Sequence, residues 1–289
     1  MNKESYQFGN FVLNFESFQQ FKSKIDSFNA RDFNTLTYEQ VYKEVSDILF
    51  FGGFFLSSYD PYYRSQDLLN YKDKFYRIRK TNKITSNITE YWNPPVNYVT
   101  RFGRLNDLRE SVLYTSRNSI LTPVNELEIK KDDIILVTVY TWNHKYTTLL
   151  KYMGIMKNQY IDKENLPSKL TNLKLSFISE WLMKKSDSNY NVYKVTNSIR
   201  RFYVRIQDTT IDGYIYPSTL NDKALNTVFY SYVANRNLIL ENIYFGQVTK
   251  ISDSSITLKS NVYIKVIDGK PFSEQKSEYT NYVFNSELK

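Results

Sequence analysis

The sequence contains no cysteine and only one histidine, His144, among its 289 residues. The lack of cysteine excludes disulfides, thiolate zinc sites, iron–sulfur clusters and a cysteine nucleophile. A single histidine allows at most one Ser–His–Asp triad and excludes a multi-histidine metal site. The patterns GxxxxGK[ST], GxGxxG, HExxH and GxSxG are also missing. We therefore expect no bound metal and none of the common nucleotide-binding loops.

Long apolar runs are missing too. The longest uncharged apolar stretch near Phe50 covers residues 48–56, far short of the roughly 18–20 residues that a membrane span needs. Residues 1–5 show no basic segment followed by an apolar one, so the pattern of a signal peptide is not visible. These observations predict a cytoplasmic protein without a membrane partner.

Charge and composition indicate a folded basic protein. Hydrophobic residues make up 42% of the chain, which is enough for a sizeable core and too much for a disordered chain. The net charge of +8 would suit nucleic acid or a phosphorylated ligand. However, no run of five or more like charges occurs, so the charge mostly indicates a solvated surface and a nucleic-acid partner is not expected.

The pattern of apolar residues divides the chain into three segments. Residues 1–72 are predicted to be helical, because phenylalanines recur at helical spacing over 15–28 and Thr37 with Gln40 forms a capping box. Residues 73–235 mix strands with helices. Residues 236–289 alternate apolar and polar residues, as strands do. This order predicts an α+β fold with a mixed β-sheet core.

Within these segments, several elements have recognisable sequence signals. Thr122 and Pro123 resemble the N-cap and first residue of a helix. Strands are predicted at residues 75–78, 111–115, 134–142, 214–216, 239–247, 255–258 and 261–267. Helices are predicted at residues 175–184 and 193–203. The Asp-Gly pair at 268–269 is a turn signal.

A series of short motifs follows in a fixed order. They are FYRI at 75–78, RFGRLN at 101–106, LYTS at 113–116, TPVNE at 122–126, FISEWL at 177–182, YKVTNSI at 193–199 and DGYIYPS at 212–218. In this order and at these spacings they resemble the RES domain family, named for its Arg, Glu and Ser. The resemblance covers roughly residues 73–235. Leu105 departs from the family, which usually has Phe or Trp there.

The resemblance implies a fold and an activity. RES domains are similar in fold to ADP-ribosyltransferases, and their characterised members degrade NAD by attack of water or inorganic phosphate on the ribose C1′. NAD is thus implied as substrate rather than as bound cofactor. Many members are toxins paired with an antitoxin, which here would be a separate protein.

Two arginines match the family's arginines. Arg77 and Arg104 are implied to bind phosphate and ribose, since a planar guanidinium can bind phosphate oxygens in bidentate fashion.

Three further residues are implied to be catalytic. Glu126 is predicted in the first turn of the helix after Pro123, where its carboxylate would stabilise positive charge on the ribose. Tyr114 would stack on nicotinamide. Ser218 would bond a ribose hydroxyl or phosphate, or hold Glu126.

Other interpretations remain open at this level. The same chemistry would serve transfer of ADP-ribose to a protein, or the chain would be a catalytically silent protein that binds nucleotides or single-stranded nucleic acid. The N-terminal helices would form a cap, a homodimer contact or a partner-sensing element.

Overall fold

The computed structural model describes residues 5–8, 11–51, 62–64, 72–85, 87–143, 145–154, 165–185, 190–206, 211–218, 224–267 and 270–285. The helices in these ranges are α1 (Phe15–Asn29), α2 (Tyr38–Leu49), α3 (Leu121–Glu126), α4 (Leu166–Met183), α5 (Asn191–Ile206) and α6 (Ser231–Asn237). The strands are β1 (Tyr6–Phe8), β2 (Phe11–Leu13), β3 (Tyr62–Arg64), β4 (Lys74–Lys80), β5 (Val112–Arg117), β6 (Ile134–Trp142), β7 (Leu149–Tyr152), β8 (Gly213–Pro217), β9 (Leu225–Tyr230), β10 (Leu238–Ile251), β11 (Ser255–Ile267) and β12 (Lys270–Asn285). The α+β class is confirmed.

The chain forms two compact units. The helical unit comprises residues 1–62, 100–108 and 152–210, and the sheet unit comprises residues 63–99, 109–151 and 211–289. Each unit is assembled from several separate stretches, whereas the sequence alone divided the chain into consecutive segments at residues 72 and 235. Within the described ranges, no helix combines the length and apolarity needed to cross a bilayer.

The helical unit begins with elements that have clear local signals. The predicted capping box starts α2, because Thr37 N–H donates to Gln40 Oε1 (2.8 Å) and Gln40 N–H donates to Thr37 Oγ (3.3 Å). A second capping box, of Asn14 and Ser17, starts α1. The hairpin of β1 and β2 was not predicted, because strands of three residues are too short to show a period.

Aromatic packing holds α1 against α4 within the helical unit. Phe28 meets Phe177 edge to face at 5.5 Å and Trp181 at 5.8 Å. The Trp181 indole N–H donates to Asn29 Oδ1 at 3.0 Å. Of the residues predicted to form the apolar stripe, Phe21, Ile25 and Phe28 are buried and Phe28 contacts α4, whereas Phe15 is 69% exposed. That helix begins at Leu166, earlier than predicted, with Asn165 as its N-cap.

A ten-stranded sheet forms most of the sheet unit, in the order β12-β11-β10-β6-β4-β5-β9-β8-β7-β3. The pairs from β12 to β8 are antiparallel. Helix α3 packs on one face, where Leu121 and Val124 join a buried cluster with Tyr76, Ile78 and Val137. We call this the α3 face.

The sheet forks between β4 and β5. These strands pair through only two residue pairs, Phe75 with Arg117 and Tyr76 with Ser116. From Arg77 onward β4 follows β6 alone, and the rest of β5 follows β9. All these residues lie in the described ranges. The fork leaves the edges of two central strands facing each other without a ladder.

The C-terminal strands are longer than predicted. The predicted strands at 255–258 and 261–267 form one strand, β11, with a shift in register between Ser260 and Val262. β12, which lies in the predicted strand-rich segment 236–289 but was not predicted as a separate strand, pairs along β11. The turn predicted at 268–269 lies outside the described residues.

Candidate functional site

Glu126 is the last residue of α3, and its side chain is exposed. The prediction that placed it in the first turn was wrong, because the helix begins at Leu121 rather than at Pro123. Thr122 does not serve as N-cap: its backbone N–H (3.3 Å) and its hydroxyl (2.9 Å) donate to Ser119 Oγ. The apolar residues of α3 anchor the helix on the sheet and leave Glu126 at its end.

Two buried polar side chains converge on one oxygen of this carboxylate. Ser218 Oγ donates to Glu126 Oε1 at 3.1 Å, and Asn226 Nδ2 donates to the same oxygen at 2.8 Å. Ser218 is 1% exposed and Asn226 is 5% exposed. Both bonds are donated to Oε1, so together they fix the orientation of the carboxyl group.

The GYIYPS motif positions Ser218. Its first five residues form β8, which pairs with β9, and Ser218 follows directly with its N–H donating to Ala224 O at 2.9 Å. A Cβ on Gly213 would lie 2.2 Å from Val228 O, so only glycine allows the two backbones to approach this closely. The motif's glycine is thus explained by strand packing and its serine by contact with Glu126.

Tyr114 lies on the same sheet face as these donors. On β5 it is half-buried and opposite Val228, while Ser116, two positions on, is opposite Asn226. Alternate residues of a strand share a face, as do directly paired residues. Ser116 also pairs with Tyr76, which belongs to the α3 face. Tyr114 therefore lies on the α3 face, near Asn226, which binds Glu126, and at the point where β4 and β5 separate.

Arg77 lies at the fork but on the opposite face from Tyr76. Its Nη1 donates to Tyr91 O at 3.3 Å and to Trp92 O. The hydroxyl of Tyr140, on the neighbouring strand β6, donates to the same carbonyl oxygen of Tyr91. Burial raises the pKa of the Tyr140 hydroxyl, and the positive charge of Arg77 opposes that rise.

Arg79 shares the face of Arg77 two positions along the strand. Its Nη2 donates to Glu90 O at 2.6 Å. Burial, and then the charge of Arg77, lower the pKa of the Arg79 guanidinium. Among the described residues neither arginine forms a salt bridge with a carboxylate. Two neighbouring cations without such a partner make this part of the fork electropositive.

Arg104 belongs to the helical unit. Its guanidinium donates to Leu182 O at 2.6 Å and to Lys184 O at 3.0 Å, and lies 5.6 Å from the centre of the Tyr193 ring. The bonds satisfy carbonyl groups at the C-terminal end of α4, where cations are favourable. These contacts give Arg104 a structural role within its own unit.

The sequence prediction missed Asn226. Its signal was an amide inside a β-strand of otherwise apolar or β-branched character, a position in which asparagine is unfavourable. His144 lies outside the described residues. Within the described ranges, no group of three carboxylate or imidazole side chains is arranged to hold a metal ion.

Comparisons with known proteins yielded no relative. No protein-family model matches the chain. No curated protein and no solved structure matches it either.

Proposed function

We propose that this chain cleaves the bond between nicotinamide and ribose in NAD. The observation that supports this most is the hydrogen bond between Ser218 and Glu126, two motif residues 92 positions apart in the sequence. Folding brings the Glu and the Ser of the RES pattern into direct contact, as a shared site requires.

The proposed reaction needs a fixed negative charge. As the C1′–N bond breaks, its electron pair moves to the nicotinamide nitrogen and the ribose acquires oxocarbenium character. A carboxylate held beside C1′ stabilises that charge more strongly in the transition state than in bound NAD. Glu126 is exposed enough to meet a substrate, and its two donors restrict its rotation.

The fork gives NAD a place to bind in this proposal. Tyr114 offers a half-buried aromatic ring for nicotinamide on the α3 face. Arg77, on the other face, supplies positive charge for the pyrophosphate where β4 leaves β5.

The wider biological role is part of the same proposal. We infer the ADP-ribosyltransferase-like fold that the resemblance implies, and the α+β architecture with its large sheet agrees with it. A chain that consumes NAD would deplete the cell of NAD and so act as a toxin or defence effector, controlled by a separate antitoxin protein. The acceptor of the ADP-ribosyl group is either water or inorganic phosphate.

The test is direct incubation of the purified protein with NAD, with and without phosphate, followed by chromatography. Release of nicotinamide supports the proposal. The second product tells hydrolysis, which gives ADP-ribose, from phosphorolysis, which gives its C1′ phosphate. Glu128→Gln is the matched control for Glu126→Gln, since Glu128 lies beyond α3 in a left-handed turn (φ 49°). NAD that remains intact at high enzyme concentration, with phosphate and without a partner protein, would contradict the proposal.

A further inference from the structure

Asn226 occupies a position where its polar group requires a partner. It lies on β9 between two neighbouring strands, opposite Ser116 on β5 and Tyr216 on β8, and is 5% exposed. A buried amide without hydrogen bonds is costly, and strand positions disfavour asparagine. A hydrophobic residue would serve packing better. The carboxamide is therefore explained by what it contacts.

That contact is the carboxylate of Glu126. The Nδ2–Oε1 distance of 2.8 Å is typical of a bond to a charged acceptor. Ser218 donates to the same oxygen from the end of β8. The two donors come from paired strands, so β8 and β9 fix one oxygen of a residue that belongs to α3.

We propose that Asn226 is a positioning residue for the reaction proposed above, and the inference rests on that proposed function. Asn226 acts through Glu126 rather than on NAD. It fixes the rotation of the carboxylate, so that its charge is directed toward the ribose. Ser218 restrains the same oxygen through a hydroxyl, and Asn226 does so through an amide on a strand that is paired on both sides.

A double-mutant cycle tests this role. Asn226→Ala is expected to lower kcat roughly 10- to 100-fold, the loss typical of one hydrogen bond to a charged group, while KM for NAD stays within about twofold. Glu126→Gln alone lowers kcat further. Adding Asn226→Ala to Glu126→Gln should then cost less than about threefold more, because residues that act through one another are not additive.

Two further variants separate positioning from packing. Asn226→Leu keeps the branched shape and the number of side-chain heavy atoms without a donor, and should lose as much activity as Asn226→Ala. It also keeps the test valid if the alanine variant folds poorly. Asn242→Ala is the matched control: Asn242 is another buried strand asparagine, and its Oδ1 accepts from the Tyr263 hydroxyl at 2.6 Å, away from Glu126. Its kcat should equal that of the wild type.

The outcomes are distinguishable. An active wild type whose Asn226 and Glu126 losses multiply, or whose Asn226→Leu variant is fully active, overturns the positioning role and leaves the proposed function standing. A wild type that leaves NAD intact overturns both. A non-additive cycle with unchanged KM and an active Asn242→Ala supports the role.

Discussion

Replacing Glu126 by glutamine removes one charge from the candidate site and little else. Both bonds to Oε1 come from donors, and the glutamine carbonyl oxygen can accept both. The side chain is exposed, so its replacement disturbs no core packing. The variant is expected to fold as the wild type does. Any loss of activity therefore reports the negative charge.

The size of the effect follows from where the charge acts. Groups that stabilise charge developing in the transition state typically contribute about 2.7–4 kcal/mol, or on the order of a hundred- to a thousandfold in rate. Bound NAD carries less positive charge on its ribose ring than the transition state does. Glu126→Gln should therefore lower kcat by this factor while the affinity for NAD changes little.

The assay combines two measurements. Nicotinamide release at saturating NAD gives kcat, and calorimetry on the slow variant gives the affinity for NAD. Glu128→Gln, in the turn beyond α3, is expected to retain the wild-type rate. Equal losses in the two variants, or a Glu126→Gln protein that remains fully active, would show that the catalytic carboxylate lies elsewhere.

Three other predictions concern both units. Arg104→Ala should lower the free energy of unfolding by about 1–3 kcal/mol, measured by denaturant unfolding, because it removes two hydrogen bonds to carbonyl groups at the end of α4; a variant as stable as the wild type would contradict this. Gly213→Ala should destabilise the sheet unit by about 1–3 kcal/mol, measured by denaturant unfolding, because its Cβ would meet the backbone of Val228, and an unchanged midpoint would refute this. Burial lowers the pKa of Lys174 from 10.5 to about 7, so the unfolded chain binds more protons than the folded chain between these pH values. The free energy of unfolding should therefore rise with pH from about 7 to about 10.5. Lys174→Met should remove the contribution of this lysine to the rise.

The N-terminal helices could be predicted from local sequence patterns. The capping box at Thr37 and the phenylalanine spacing depend only on residues within a few positions of one another, and both are confirmed. The α+β class follows in the same way, from helical spacing in one part of the chain and alternation in another. Helix starts were less certain: at α3, Ser119 accepts the bonds from Thr122 that the Thr-Pro pattern assigned to a cap.

The candidate site depends on contacts that only the tertiary structure decides. Motif resemblance named Glu126 and Ser218 and left open whether the serine contacts substrate or Glu126; the tertiary structure brings it to Glu126, 92 positions away. Asn226 escaped notice because its partner is 100 positions away. Strand pairing and the fork place Arg77 and Tyr114 on opposite faces of one sheet, and long-range packing assigns Arg104 to the helical unit. The sequence by itself determined which residue types are present and where helices and strands can form. The pairing of strands that are far apart in the sequence determined which of these residues come into contact.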